Sequence, residues 1–214
     1  VEELKKSYGI EFFSIGGGVG IVYHGTLESG APDWWLRANG DGGKRIGFDD
    51  YARAVVPLLK PLGLKILLEP GRSLVGNAGA LLASVLYVKK TPAKNFVITD
   101  AGMNDLIRPA LYEGHHEIVP LQEPPAGAPH GPVDVVGPVC ESGDFFAQDR
   151  ELPEVQAGEK IALLSAGAYG FVMASNYNSR RLPAEILVDG GHSEVVRARQ
   201  SWDDLVAGER VPGK

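Results

Sequence analysis

Two glycine-rich segments that follow short apolar runs could bind a phosphate group. Three consecutive glycines at residues 16–18 come after the apolar run 10–15, and Glu-Pro-Gly-Arg at residues 69–72 comes after the run 65–68. Glycine leaves backbone N–H groups unobstructed by a Cβ atom, so a loop of this kind suits an anion. A glycine-rich turn alone is more often only a turn. Two such loops after successive strands, the second with an arginine, leave a phosphorylated ligand and simple turns as equally open interpretations.

Glu69 stands at the end of the second apolar run, where an ionised carboxylate is costly unless it meets a positive partner. A salt bridge to Arg72 or Arg108 would satisfy it in a purely structural way. A protonated heteroaromatic nitrogen of a bound cofactor would satisfy it as part of a site. The residues themselves leave both interpretations open.

Cysteine and histidine are too sparse to suggest a metal centre. Cys140 is the only cysteine, which excludes an internal disulfide framework and a multi-cysteine metal site and is typical of a reducing, cytoplasmic setting. Taken alone, Cys140 is best interpreted as a small buried hydrophobe. His115 and His116 follow no metal-binding spacing, so we predict polar residues at the entrance of a strand.

A helix should connect the two apolar runs. Asp49 and Asp50 supply the negative charge favoured in a first helical turn, and Gly63 suits the position after a helix end. The apolar residues that recur between them at helical spacing are Tyr51, Val55, Leu58, Leu59 and Leu62. Strand, glycine loop, helix, strand and glycine loop in this order are typical of a βα-barrel or a doubly wound sheet.

The pattern changes near residue 79, beyond which β-branched runs alternate with Gly, Pro and Asn clusters and predict the strands of an all-β domain. The candidate strands are residues 81–88, 94–99, 116–121, 133–139, 160–165, 184–188 and 193–197. Residues 123–132 are so rich in proline and glycine that we predict an exposed loop. For residues 30–47, which contain Trp34 and Trp35, we favour an irregular surface connection over a lid that covers a ligand.

Composition excludes several function classes. The 214 residues carry 21 Lys+Arg against 27 Asp+Glu, a net charge of −6 and a pI near 5.4, without the basic stripe that a nucleic-acid backbone would require. With 44% hydrophobic and 22% charged residues, the chain should bury a core. The apolar stretches fall short of the roughly 20 residues that a membrane helix needs. We therefore predict neither a nucleic-acid nor a membrane partner.

Five ordered motifs run through the chain. They are Gly-Gly-Gly-Val-Gly-Ile at 16–21, Glu-Pro-Gly-Arg-Ser at 69–73, Asp-Ala-Gly-Met-Asn-Asp-Leu-Ile-Arg-Pro-Ala-Leu-Tyr at 100–112, Cys-Glu-Ser-Gly-Asp at 140–144, and Gly-Ala-Tyr-Gly-Phe at 167–171 followed by Asn-Tyr-Asn-Ser-Arg at 176–180. Together they closely resemble the diaminopimelate decarboxylases, a family of pyridoxal-phosphate enzymes. The resemblance covers nearly all of the chain but only the C-terminal half of the family's length.

The resemblance implies a fold of the α/β plus all-β class. Residues 1–78 would be the last strand and helix units of an alanine-racemase-like (βα)8 barrel, which would be incomplete here. Residues 79–214 would form a C-terminal Greek-key-like β-barrel domain that carries substrate-binding and dimer-interface motifs. The family context further implies a cytoplasmic homodimer whose active site is shared across the interface.

Roles in a cofactor and substrate site also follow from the resemblance. The residues implied to hold pyridoxal 5'-phosphate are Gly16, Gly17, Gly18, Gly71, Arg72 and Tyr169. Glu69 would face the pyridine nitrogen and keep it protonated, so that the ring can accept the electron pair left when CO2 departs. Arg72, Arg108 and Tyr112 are implied to clamp the substrate's distal carboxylate, and Tyr169 is implied to bind the substrate as well as the cofactor.

Cys140 and Glu141 would, by the same resemblance, enter the active site of the partner subunit. Glu141 would pair with the distal ammonium group of the substrate, and Cys140 would act next to the bond that breaks. Asp144 would support their loop, and Tyr177 would frame the pocket.

The family's Schiff-base lysine, and the histidine that stacks on its cofactor, lie upstream of the triple glycine, and none of the ten lysines here stands in a matching context. We therefore expect a full-length carboxy-lyase to convert meso-2,6-diaminoheptanedioate to L-lysine and CO2, and these 214 residues alone to be inactive. Two alternatives stay open: a non-catalytic dimerisation or regulatory module, and a related ornithine, arginine or carboxynorspermidine decarboxylase. Arg108 favours a substrate that ends in a carboxylate.

Overall fold

The computed structural model describes residues 1–25 and 47–213, which divide into two compact units. The first unit comprises the described residues of 1–80 with 115–118 and 163–168, and the second comprises those of 81–114, 119–162 and 169–214. Nearly all of the tryptophan-containing segment 30–47 lies outside the described residues. Two later pieces of chain complete the first unit, so no single cut of the sequence separates the two.

A strand, a helix and a second strand build the first unit, as the sequence predicts. Its elements are α1 (Glu2–Tyr8), β1 (Phe12–Ser14), α2 (Phe48–Leu59), β2 (Lys65–Leu67) and α3 (Gly71–Val75). β1 and β2 pair in parallel, with Phe13 opposite Ile66. Parallel neighbours need a long crossover, and α2 lies within this one. Both glycine loops therefore follow the carboxyl ends of adjacent strands.

The start of α2 agrees with the residues that predict it, but the α-helix ends at Leu59, earlier than the prediction from Gly63. Asp49 and Asp50 lie in its first turn, where their charge complements the helix dipole. After Leu59 the chain tightens into a 3-10 turn, Lys60–Leu62, and Gly63 ends it in the left-handed region with a φ of 55°. Of the helices in the described ranges, none is long and apolar enough to cross a membrane.

A six-stranded sheet dominates the second unit. Its strands are β3 (Leu81–Lys90), β4 (Asn95–Thr99), β5 (Ile118–Pro120), β6 (His130–Val136), β7 (Phe145–Pro153) and β8 (Lys160–Leu163). They are ordered β5-β8-β3-β4-β6-β7, with β4 and β6 parallel and the pairs β3–β4 and β6–β7 antiparallel. The remaining elements are α4 (Arg108–Tyr112), an antiparallel hairpin of β9 (Glu185–Asp189) and β10 (His192–Arg197), and α5 (Trp202–Leu205). The prediction that the later part of the chain is built on a β-sheet is confirmed.

All seven predicted strands are present with shifted ends, but the sequence pattern does not predict β7. Charged residues at 149–151 interrupt its apolar pattern, and Asp149 has a φ of 48° where the pairing with β6 shifts register. The predicted loop 123–132 is too long, because its last three residues pair with β7. Pro132 is tolerated there because it precedes residues 134–136, the part of β6 that pairs with β4.

The core of the second unit lies on the strands of this sheet. The side chains with 0–2% exposure include Val85, Val97, Val135, Phe146 and Ile161. On β3, exposed Leu86 directly follows buried Val85, which is the alternation expected of a strand with one buried face. On β3 the sheet thus buries one set of side chains and exposes the other.

A buried carboxylate ties three segments of the sheet together. Asp134 on β6 is 5% exposed, and its two oxygens lie 2.9 and 2.8 Å from Lys94 Nζ. The N–H of Asp149 donates to Asp134 Oδ1 at 2.8 Å, and the Asp149 carboxylate lies 3.2 Å from Lys94 Nζ. The hydrogen bond to Asp134, with the smaller effect of Asp149, raises the pKa of Lys94. The network therefore holds β4, β6 and β7 in register.

Replacing Asp134 with alanine should lower the free energy of unfolding by about 1–3 kcal/mol, because the sheet loses hydrogen bonds to a buried, charged acceptor. Denaturant unfolding measures the effect. Glu154→Ala is the matched control, since Glu154 pairs with Lys90 at 2.5 Å on the surface, where ion pairs contribute little. An equal loss for both variants would contradict this role of Asp134.

Candidate functional site

The triple-glycine loop has a backbone that glycine adopts more easily than other residues. Gly16 and Gly18 have φ values of 70° and 85° in the left-handed region. Gly17 is required for a different reason, because a Cβ there would lie 2.5 Å from the carbonyl oxygen of Glu69. The Glu69 N–H also donates to the Gly16 carbonyl oxygen at 2.8 Å. The first glycine loop is therefore packed directly against the start of the second.

The Glu69 carboxylate belongs to a short hydrogen-bonded chain. It is exposed and accepts a hydrogen bond from the Ser14 hydroxyl at 2.5 Å. The Gly16 N–H donates to the same hydroxyl oxygen at 3.1 Å. The sequence suggests a buried charge at the end of a strand, but β2 ends at Leu67 and Glu69 is accessible. The expectation of a buried charge is therefore wrong, and Glu69 needs no salt bridge to compensate for burial. Its carboxylate is accessible to a ligand.

Open space borders both glycine loops. A Cβ at Gly16, Gly18 or Gly71 would meet no atom within 4 Å. The Gly71 N–H donates to the Glu69 carbonyl oxygen at 2.9 Å, and Arg72, the next residue, is exposed. An oriented carboxylate beside two glycine loops with room around them fits a ligand that combines a phosphate with a protonated ring nitrogen.

Two glycines allow separate segments of the first unit to cross in backbone contact. A Cβ at Gly167 would lie 1.9 Å from the Val75 carbonyl oxygen, and a Cβ at Gly79 would lie 2.6 Å from Gly167 Cα. The Ala166 N–H donates to the Gly79 carbonyl at 2.7 Å, and the Gly167 N–H donates to the Gly76 carbonyl at 3.0 Å. The start of the motif at residues 167–171 is therefore required for packing.

His115 and His116 contribute to the packing of the first unit. His116 is fully buried, and its Nδ1 lies 2.8 Å from the Leu164 carbonyl oxygen. His115 stacks on His24 with ring centroids 3.6 Å apart. Within residues 1–25 and 47–213, no three His, Cys, Asp or Glu side chains are placed to hold a metal ion.

In the second unit, α4 carries two residues of the predicted carboxylate clamp, Arg108 and Tyr112, on one helical turn, whereas Arg72 lies in the first unit. Arg108 is the first residue of α4 and 6% exposed, whereas Tyr112 is its last and 58% exposed. The Gly114 N–H donates to the Arg108 carbonyl at 3.2 Å, and a Cβ at Gly114 would lie 3.3 Å from Arg108 Nη2. Arginine is rarely this buried unless its charge is paired, so Arg108 is held in place at the start of α4.

The turn between β6 and β7 presents Cys140 and Glu141 to solvent. Asp144, which is 4% exposed, accepts hydrogen bonds from the backbone N–H groups of Val139 and Met103, both at 2.6 Å. One buried carboxylate therefore holds this turn to the segment that precedes α4. This is the supporting role that the sequence suggests for Asp144.

The Glu141 carboxylate is oriented by two donors. The Tyr177 hydroxyl donates to Oε2 at 3.3 Å, and the Gly143 N–H donates to Oε1 at 3.2 Å. Tyr177 therefore lies next to one of the predicted substrate-binding residues. Tyr169 is 41% exposed and has a φ of 60°, an unusual backbone for a bulky residue.

Arg180 is the last residue of the motif at 176–180, but the sequence alone indicates no role for it. Its Nε donates to Asn104 Oδ1 at 2.8 Å, its Nη2 donates to the Asp100 carbonyl oxygen, and Nη2 lies 3.6 Å from the Asp105 carboxylate. Burial raises the pKa of the Asp105 carboxyl, while the Gly102 N–H and the Arg180 charge oppose that rise. The partners are more than 70 residues away in sequence, so spacing alone could not reveal them.

Every predicted site residue lies in the described part of the chain, but not all in one unit. The first unit holds Gly16, Gly17, Gly18, Glu69, Gly71 and Arg72. The second holds Arg108, Tyr112, Cys140, Glu141 and Tyr169. Hydrogen bonds directly join Glu69 with the glycine loop in one unit, and Glu141 with Tyr177 in the other.

Several known proteins that resemble this chain are decarboxylases. The profile of the pyridoxal-dependent decarboxylases, C-terminal sheet domain, matches residues 17–167. The diaminopimelate decarboxylase of Aquifex aeolicus is 44% identical over 202 residues, covering 94% of this chain and 44% of the relative. That of Neisseria meningitidis serogroup A is 46% identical over 200 residues, again covering 94% of this chain and 44% of the relative.

Solved structures agree with the sequence relatives. The crystal structure of diaminopimelate decarboxylase from Helicobacter pylori complexed with L-lysine has a TM-score of 0.78 and 40% identity, and the match covers 95% of this chain and 46% of that one. The chain thus spans less than half the length of the curated relatives it matches.

Proposed function

The chain belongs to the pyridoxal-dependent decarboxylase family, and we propose that it forms the C-terminal part of a diaminopimelate decarboxylase. In this proposal the whole enzyme removes CO2 from meso-2,6-diaminoheptanedioate and releases L-lysine. The observation that carries the proposal is the Glu69 carboxylate, oriented by Ser14 beside two glycine loops that border open space. Relatives named diaminopimelate decarboxylase, one of them with bound L-lysine, support the choice of substrate.

The residues of the first unit fit pyridoxal 5'-phosphate. The glycines at 16–18, together with Gly71 and Arg72, would hold its phosphate, and we propose Tyr169 as a further ligand of phosphate and substrate. Glu69 would keep a proton on the pyridine nitrogen through its ionised carboxylate. When bound, the cofactor supplies an acceptor for the electron pair that remains after CO2 leaves. The protein's own contribution is to hold the ring and to maintain that proton.

The residues of the second unit suit the two ends of the substrate. The planar guanidinium of Arg108 matches a carboxylate, and Tyr112, one helical turn later, can add a hydroxyl donor. The oriented carboxylate of Glu141 suits the distal ammonium group, and Cys140 would stand next to the bond that breaks. The exposure of Cys140 and Glu141 supports a role in the site of a partner subunit within a homodimer.

The finer architecture belongs to the same proposal. Residues 1–78 would supply the last units of a (βα)8 barrel, supported by the parallel pairing of β1 and β2 across a helical crossover. The six-stranded sheet of residues 79–214 would close into a Greek-key-like β-barrel. We place the enzyme in the cytoplasm, where the single free cysteine is kept reduced.

A chimera tests this function. In it, these 214 residues replace the matching part of the Neisseria meningitidis enzyme, and the chimera is expressed in a bacterial strain that has lost its own diaminopimelate decarboxylase. We expect growth without added lysine. A chimera that accumulates as soluble protein but does not support growth would contradict the proposal.

The substitution Arg108→Met in this chimera should raise KM for meso-2,6-diaminoheptanedioate about 10- to 100-fold, because charge-assisted hydrogen bonds to the distal carboxylate are lost. Steady-state kinetics measures the change, and thermal unfolding checks that the variant is folded. Arg53→Met is the control, since Arg53 is an exposed residue of α2 that pairs with Asp50. An unchanged KM in folded Arg108→Met would remove Arg108 from the clamp.

A further inference from the structure

Arg180 anchors the turn that leads into α4. Its guanidinium donates to the Asp100 carbonyl oxygen and to the Asn104 side chain, and it pairs with the Asp105 carboxylate. Asn104 and Asp105 are 2% and 7% exposed. A planar fork that meets three acceptors in a buried turn fixes that turn more firmly than a single contact would.

The anchored turn is closed by its own hydrogen bonds. The Gly102 N–H donates to Asp105 Oδ2 at 2.9 Å, and the Asp105 N–H donates to the Gly102 carbonyl at 2.8 Å. The Ser175 N–H donates to the Asn104 carbonyl at 2.9 Å. Only Leu106 and Ile107 separate this turn from Arg108, and Leu106 is 1% exposed. A shift of the turn would therefore also move the start of α4.

The segment that presents Arg180 is itself held in an unusual conformation. Asn178 and Ser179 have φ values of 56° and 54°, a left-handed backbone that residues other than glycine rarely adopt unless the surroundings impose it. Asn176 supplies part of that restraint, because its Nδ2 donates to the Arg180 carbonyl at 2.8 Å and to Gln200 Oε1 at 2.6 Å.

We propose that Arg180 is a positioning residue for the decarboxylation: it holds the turn at residues 100–105 so that α4 presents Arg108 to the distal carboxylate of the substrate. Arg180 does not itself contact the substrate. This inference rests on the proposed function, because it assumes that Arg108 binds that carboxylate.

The charge of Asp105 makes the inference testable by pH. Arg180 and Arg199 are the cations that act on this carboxylate, and the carboxylates of Asp100 and Asp144 belong to the same cluster of loops. Because burial raises the pKa of Asp105 above its unfolded value, a rise in pH through that range ionises a buried group and lowers stability. Removal of Arg180 raises that pKa further, so the penalty extends to higher pH. The defect of Arg180→Met should therefore grow as the pH rises.

Hydrogen exchange on the full 214-residue chain is the first test. In Arg180→Met, amides at residues 100–112 should exchange about tenfold faster than in the unsubstituted chain, because local opening becomes easier. Arg181→Met is the control, since the neighbouring Arg181 lies over the Trp202 ring at 4.7 Å and does not reach the turn. Unchanged exchange at residues 100–112 would overturn the proposal.

Kinetics of the chimera provide the second test. Arg180→Met should raise KM for meso-2,6-diaminoheptanedioate about tenfold with kcat changed less than about threefold, and the ratio of variant to parent KM should increase as the pH rises. Arg180→Lys keeps the charge but loses the planar fork, so its KM should lie between those of the parent chimera and Arg180→Met. If Arg180→Met does not fold, Arg180→Lys takes its place in the test.

The outcomes separate this inference from the proposed function. Faster exchange with an unchanged KM would overturn the positioning role while leaving the function intact. A parent chimera that is folded but releases no lysine would overturn the proposed function, and the positioning role in decarboxylation with it, whatever the exchange result. A kcat loss without a KM change would overturn the proposal in favour of a different role for Arg180.

Discussion

Glutamine in place of Glu69 should lower kcat for lysine release by the chimera on the order of 10²–10³-fold, with a smaller effect on KM. The amide has the shape of the carboxylate, and its oxygen can still accept the Ser14 hydrogen bond. It is neutral, however, and cannot stabilise a proton on a ring nitrogen as an anion does. The loss therefore measures the charge of Glu69 rather than its shape.

Two variants serve as controls for Glu69→Gln. Glu11→Gln changes an exposed carboxylate just before β1 and should leave kcat unchanged. Ser14→Ala removes the hydroxyl that orients Glu69 and should lower kcat less than Glu69→Gln does, because the charge remains. A kcat for Glu69→Gln equal to that of Glu11→Gln would contradict the role given to Glu69.

Alanine in place of Gly167 should lower the free energy of unfolding by about 3 kcal/mol or more, because an added Cβ would meet backbone atoms that cannot move aside as a side chain can. That Cβ would lie 1.9 Å from the Val75 carbonyl oxygen and 2.9 Å from the Gly79 nitrogen. The crossing of the two segments, with its hydrogen bonds to Gly76 and Gly79, would have to separate. Denaturant unfolding of the chain measures the loss.

Gly131→Ala is the control for Gly167→Ala. Gly131 lies in β6, its φ is not in the left-handed region, and a Cβ there would meet nothing within 4 Å. Its stability should change little. Similar stabilities for the two variants would show that the first unit can separate the crossing segments without cost, which would contradict the account of its packing.

Local features of the fold could be predicted because they depend on neighbouring residues. The charges of the first turn predict where α2 begins, Gly63 predicts where the helical segment that follows it ends, and period-two patterning predicts most of the strands. The sequence does not predict β7, because charged residues and a register shift near Asp149 interrupt its alternation of apolar and polar residues. The start of β6 is predicted too late because Pro132 pairs with Glu151, which is distant in sequence.

The candidate site could be predicted only in part. The glycine loops and Glu69 are visible as loops after strands, but the environment of Glu69 depends on parallel pairing that places Ser14 opposite Leu67. The roles of Arg108 and Glu141 come from resemblance to a family, not from spacing. Arg180 received no role because its acceptors lie in a distant turn. Residues that act through long-range contacts need a structure to be recognised.

Product analysis of the purified chimera with pyridoxal 5'-phosphate shows which amino acid it decarboxylates. The chimera is given meso-2,6-diaminoheptanedioate, ornithine or arginine in separate reactions, and amine products and CO2 are measured. The account predicts L-lysine and CO2 in equal amounts from meso-2,6-diaminoheptanedioate and much slower reaction of the other two. No lysine from a folded, cofactor-loaded chimera, or faster decarboxylation of ornithine or arginine, would contradict it.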